Sequence, residues 1–221
     1  MVKLYNQTNH ATGYPQMKKS SSTESLILQA AEQIFFLRGY NGARMQEIAD
    51  EASINKALLH YYFRSKEQLF EAVFEAAVAR LVPPVLAVLH QELPLRDKIS
   101  AFVDAYFTTV EENPFLPGFI VYELQRNPEH FRTTIEAERV DLLDKLQMQL
   151  HEGADNGTLR RMSAEQFMLN LFSLCAFPFI ARQGMQALSG RNDQDYHLLL
   201  EERRKLIPGW ILDTLRPDTV Y

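Results

Sequence analysis

The chain has 221 residues, 46% hydrophobic and 23% charged, with a net charge of −5; this is the balance of an ordinary globular protein with a sizeable core in one or two domains, and it excludes a disordered chain. The single cysteine, Cys175, excludes an intrachain disulfide. The longest apolar tract, Met168 to Ala181, is shorter than the roughly 20 residues that span a bilayer and holds Pro178, and the start lacks the basic-then-apolar pattern of a secretory signal, so the expectation is a cytoplasmic protein with no membrane partner.

In chain order, residues 1–22 are polar, with Gly13, Pro15 and a serine run, and are expected to form a disordered tail. From Thr23, a candidate N-cap, Leu26, Ile27, Ala30, Ala31, Ile34 and Phe35 recur at helical spacing up to a stop signal at Gly39. A short second helix carries Met45, Ile48, Ala49 and Ala52, and a third runs from Asn55 or Lys56 to about Tyr62. A fourth starts at Ser65, a good N-cap, and is expected to kink or break at Pro83 and Pro84. Five longer segments follow: 95–111, 116–126, 128–153, 163–188 and 196–215. They are separated by turn signals such as Asn113-Pro114, Asn127-Pro128, Asn156-Gly157 and Gly190. No strand alternation or internal repeat interrupts this pattern. The predicted class is all-α, with a small head over 23–66 and a larger helical body over 67–221.

Two short helices separated by about four residues make a helix-turn-helix over Ile48 to Leu69. Ile48, Ala49, Ala52, Ile54, Leu59 and Phe63 form its expected core, and the second helix then presents Lys56, Ala57, Leu58, His60 and Tyr61 outward. Such a helix fits the major groove of duplex DNA. Charge is distributed to match. Residues 1–66 hold eight Lys and Arg against five Asp and Glu, which leaves the rest of the chain at −8.

The stretch Ile27 to Leu69 resembles the DNA-binding domain of the TetR/AcrR regulators, through Ile27-Leu28, Ala30-Ala31, Phe35, Gly39-Tyr40, Ile48-Ala49, Ala52, Leu59, Tyr62-Phe63 and Ser65-Lys66-Glu67. It departs from the family at Ser53, where Gly is usual in the turn, at Ala43 and Arg44, where Thr and Ser are common, and at His60, where Tyr is usual. The resemblance implies a homodimer on an inverted-repeat DNA operator, most commonly as a ligand-responsive repressor. Lys56, Ala57, Leu58 and Tyr61 would face the bases, and Arg44, His60, Tyr62 and Lys66 the phosphates. It places the dimer surface on the last two long segments, with Phe167, Leu171, Leu174, Pro178, Ile207 and Ile211 as candidates. It also places a small effector among the middle helices. The aromatic richness there points to an apolar or aromatic ligand, with Phe102, Tyr106, Phe119, Tyr122 and Cys175 as candidate lining and Glu123 as a partner for a cation. Effector binding would tilt the fourth helix and move the two heads apart.

An enzyme is the rival class. No zinc-type His/Cys spacing, nucleophile elbow or phosphate-binding glycine loop is present, and the six histidines are scattered, so no catalytic residue, metal or cofactor is expected. A helical ligand-binding protein with weak or lost DNA recognition is the other alternative, kept open by Ser53, Ala43 and His60.

Overall fold

A computed structural model describes residues 22–217; the predicted tail, apart from Ser22, lies outside them. Among the described residues all ten elements are helices: α1 (Thr23–Gly42), α2 (Met45–Glu51), α3 (Lys56–Tyr62), α4 (Lys66–His90), α5 (Leu95–Glu112), α6 (Leu116–Arg126), α7 (Pro128–Asp155), α8 (Ala164–Ile180), α9 (Arg182–Ser189) and α10 (Asp193–Thr214).

Local chemistry sets the boundaries. Ser22, Asn55, Ser65, Ser163 and Asn192 each accept a backbone N–H from the third helical residue, which satisfies one of the donors a helix start leaves unpaired. The cap of α1 is therefore Ser22, one residue before the expected Thr23. Gly39 interrupts α1 at φ 65°, and the Ala43 N–H returns to the Gly39 carbonyl at 3.2 Å.

Two expectations are corrected. Pro83 and Pro84 do not break α4, which continues to His90. Both prolines lie on the solvent side, and the carbonyls they leave without an N–H partner belong to Ala79 and Arg80, also exposed, so water can satisfy them. The segment 163–188 is not one helix. It bends by 71° between α8 and α9, three residues past Pro178.

The centre of the molecule is α4. Its buried residues run from Leu69 and Phe70, under the head, to Val88 and Leu89, deep in the body. It packs against α1 on the head side and against α5, α6 and α7 in the body, while α10 packs on α5 and α8. By length and composition α4 could cross a membrane, but half of that stretch is buried inside the body.

Pro178 has no N–H, so the carbonyl of Leu174, four residues earlier in α8, loses its helical partner. The Arg203 Nε of α10 donates to that carbonyl at 3.1 Å, and the Tyr196 hydroxyl donates to the Pro178 carbonyl at 2.8 Å. Two bonds between helices thus stand where the helix itself has a defect.

Candidate DNA-reading head and effector cavity

The head is built as the pattern of apolar residues requires. Ile48, Ala49, Ala52, Leu59 and Phe63 are buried between α2 and α3, with Ile54 half-buried against them. Alanines at 49 and 52 let the two helices approach closely. The turn is closed by the Ser53 and Ile54 N–H groups on the carbonyls of Asp50 and Ala49, at 3.1 and 2.9 Å. Ser53 takes φ 55°, the left-handed conformation that glycine adopts at no steric cost. The geometry of a glycine turn is kept although glycine is absent.

Lys56, Ala57, Leu58, His60, Tyr61 and Tyr62 are all exposed on α3, Tyr61 to 79%. The rings of Tyr61 and Tyr62 meet edge to face at 5.5 Å. Arg44 is exposed at the N-cap of α2 and its side chain makes no capping bond. Lys66, expected at a phosphate, is half-buried instead. Its Nζ donates to the Ala43 carbonyl at 3.0 Å and lies 4.5 Å from the centre of the Tyr40 ring, tying the first turn of α4 to the end of α1. Arg64, between α3 and α4, is an exposed cation the sequence reading passed over. Its place beside the exposed face of α3 was readable from the motif.

The profile for bacterial regulatory proteins of the tetR family matches residues 27–73, and that for the tetracyclin repressor-like C-terminal domain matches 96–208. The chain belongs to the TetR family. It is therefore a DNA-binding transcriptional regulator, and the TetR reading head is the α1–α3 unit just described. Among relatives, the chain is 38% identical over 87 residues to the HTH-type transcriptional activator FasR of Mycolicibacterium smegmatis, which is 39% of this chain and 40% of FasR. It is 38% identical over 58 residues to the HTH-type transcriptional repressor NicS of Pseudomonas putida, 26% of this chain and 27% of NicS. The chain thus aligns with less than half the length of these two relatives. Among solved structures, HlyIIR, a hemolysin II transcriptional regulator, matches with a TM-score of 0.58 and 26% identity over 89% of this chain and 98% of HlyIIR. A TetR-family regulator from Marinobacter aquaeolei VT8 shares the fold, with a TM-score of 0.63 at 17% identity over 89% and 96% of the two chains.

In the TetR-type body, a cavity of about 380 Å³ lies between α4, α5, α6, α7 and α8. From α4 it is lined by Leu81 and Val85, from α6 by Ile120 and Leu124, and from α8 by Met168, Phe172 and Ala176. Tyr106 is the one lining residue that carries a hydroxyl, and none is charged. Burial raises the pKa of that phenol, which keeps it neutral.

Of the six effector candidates only Tyr106 lines this cavity. Phe102 is buried beside it, edge to face with Phe172 at 5.2 Å. Phe119 packs on Phe70 at 5.3 Å, toward the head. Tyr122 is exposed and outside the cavity. Cys175 is buried off the cavity wall, its thiol pushed up to about 12 by burial, which removes the thiolate a nucleophile needs. Glu123, expected to meet a cationic ligand, is fully buried and already held by Arg126, with Nε at 2.6 Å and Nη2 at 3.0 Å from its two oxygens.

The dimer candidates are likewise displaced. Phe167, Leu171, Pro178, Ile207 and Ile211 are buried within the chain's own body, and the Leu174 side chain is half-buried. The large apolar residues that α8 and α10 expose are others: Leu169 (61%), Phe177 (57%), Ile180, Leu198 (60%), Leu206 and Trp210. Because α8 is apolar nearly all round, the sequence marks both of its faces and ranks neither.

Among the described residues no group of three or more His, Cys, Asp and Glu is placed to hold a metal ion. A second, open cleft of about 790 Å³ separates α1 from α4 and the α5–α6 turn, with the Arg80 guanidinium bonded to Glu32 and Asn113 at its wall.

Proposed function

We propose that the protein is a ligand-responsive repressor that binds an inverted-repeat operator as a homodimer in the cytoplasm. The observation that carries this reading is the exposed face of α3. Lys56, Ala57, Leu58 and Tyr61 are exposed on one side while Leu59 and Phe63 hold the helix from behind. Lys donates to the guanine O6 and N7 acceptors, and apolar side chains meet thymine methyl groups. Arg44, His60, Tyr62 and Arg64 flank this surface and serve the phosphates, which fix register without reading sequence.

One head of seven-residue helices makes few contacts, and two-fold pairing doubles them over half-sites about 34–36 Å apart or multiples of that. Leu169, Phe177, Ile180, Leu206 and Trp210 form the surface for an isologous partner, with apolar and aromatic residues of the kind that anchor interfaces. Repression is the simpler mode, because occupying the operator excludes other proteins without requiring a further contact.

The effector enters the 380 Å³ cavity. With one hydroxyl and otherwise hydrocarbon walls, the part that enters carries no charge, since a charge there would lose its water and find no partner. Branched aliphatic side chains dominate the wall and suit a flexible alkyl chain better than a flat polar ring.

The deciding experiment is selection of bound DNA from a random duplex pool, followed by titration against salt. Enrichment of an inverted repeat whose binding falls steeply with salt supports the reading. A folded dimer that enriches nothing, with and without an alkyl probe such as dodecanol, would favour a ligand-binding protein that has lost DNA recognition.

A further inference from the structure

Helix α6 has two working faces. Pro117, Ile120, Val121 and Leu124 lie toward the cavity, whereas Phe119, Glu123 and Arg126 lie on the opposite side of the helix. The second set reaches the head. The guanidinium of Arg126 stands 4.6 Å from the centre of the Tyr40 ring at the end of α1 and 4.8 Å from that of Phe70 in α4. Its geometry is fixed by the two bonds to Glu123, a carboxylate fully buried in the same helix. Tyr40 in turn receives the Lys66 ammonium, which bonds the carbonyl of Ala43, one residue before the N-cap of α2. A planar cation over a ring, held by a bidentate carboxylate, is a directional contact that a shift of α6 breaks, unlike the aliphatic packing around it.

We propose that Arg126 is a positioning residue that couples the cavity to the DNA-reading head, acting through Tyr40. This rests on the reading of the cavity as an effector site. An occupant that pushes on Ile120 and Leu124 displaces α6, draws the guanidinium off the Tyr40 ring and releases the end of α1 together with the start of α2. A purely structural role for Arg126, keeping Glu123 paired, predicts no such link.

The test replaces the unidentified effector with a filled cavity. Ala176→Phe, on α8, places a ring in the cavity, and Ala176→Met is the milder form if the first does not fold. Tyr40→Leu removes the ring from the head and leaves the Glu123–Arg126 pair intact. Amide hydrogen exchange is followed at 43–48 in the free protein, and operator affinity in parallel. Filling the cavity should speed exchange there and weaken operator binding at least tenfold, and Tyr40→Leu should reduce both effects at least fivefold. Arg126→Met combined with Glu123→Gln should do the same. Effects of the two sites that simply multiply, or a filled cavity that leaves exchange at 43–48 unchanged, overturn the proposal. Since exchange is read without DNA, a protein that binds no operator still tests the coupling, and the two readings fail separately.

Discussion

Arg203 donates its Nε–H to the carbonyl of Leu174 at 3.1 Å, filling the place that Pro178 leaves empty in α8. The guanidinium also stands 5.1 Å from the Trp210 ring, so one side chain serves α8 and its own helix together. Arg203→Met keeps the aliphatic stem and strands the carbonyl. It should cost about 1 kcal/mol in urea unfolding at fixed protein concentration, the low end of the desolvation penalty because the stranded acceptor is only partly buried. A change under a few tenths would mean that water replaces the donor.

Ser53 holds a left-handed backbone that costs a non-glycine residue about 1–2 kcal/mol. Ser53→Gly should therefore raise stability by about 0.5–1 kcal/mol, after the extra entropy glycine loses on folding. The midpoint of thermal unfolding checks this, and DNA affinity should stay within a factor of two or so of the original, since the turn geometry is already that of glycine.

The exposed residues of the head should separate by role. Lys56→Ala and Tyr61→Ala should each weaken binding to the selected operator by about 1–3 kcal/mol and relax its sequence preference. Arg44→Ala should weaken binding to all sequences and lower the salt slope by about 1. Lys66→Ala should act chiefly on stability, because its ammonium is spent on Ala43 and Tyr40. Fluorescence anisotropy over a salt series distinguishes the three patterns.

For the proposed dimer surface, Phe177→Glu and Leu206→Glu place charges on exposed apolar positions and should yield folded monomers in sedimentation. Ile207→Glu places the charge in the body and should prevent folding instead. Dimers that survive both of the exposed substitutions would move the interface elsewhere.

Glu111 of α5 is raised above the ordinary carboxylate range, by burial first and then by a hydrogen bond and repulsion from Glu201 of α10; Arg204 and His197 act in the opposite direction and lose. The folded state therefore holds a proton more tightly than the unfolded chain. This contribution is fully present below the ordinary value near 4.5 and is lost as pH rises through the raised folded value. Glu111→Gln should accordingly stabilise the protein at pH 7 relative to the parent, and the advantage should shrink toward pH 4. Thermal midpoints of the two proteins at both pH values give the comparison.

Much of the architecture was legible because it rests on local chemistry. Helical spacing of Ile48, Ala49, Leu59 and Phe63 fixes the core of the head, and caps at Asn55 and Ser65 fix its edges. The prolines misled in both directions: Pro83 and Pro84 sit where water covers the freed carbonyls, while the bend after Pro178 divides a segment that reads as one helix. The cavity was not legible, because a void is defined by the absence of atoms. Large aromatics such as Phe102 and Phe119 fill space, and the cavity remains where smaller residues, Ala176 and Val121 among them, form part of the lining. Glu123 was readable as chemistry but not as geometry, since its partner three residues on turns inward with it.

The bond from Lys66 to the Ala43 carbonyl has a mechanical consequence. It ties the near end of a 25-residue rod to the frame that carries the two short helices α2 and α3, so a turn of the rod is passed on to them. A rod of that count is about 37 Å long, and a tilt of about 5° about its far end sweeps the near end through about 3 Å. That is nearly the rise of one base pair. Small strains in the body are thus magnified by leverage, and the Lys66 ammonium, with the packing of Phe35 and Tyr40 on Phe70, helps to keep the gearing from slipping.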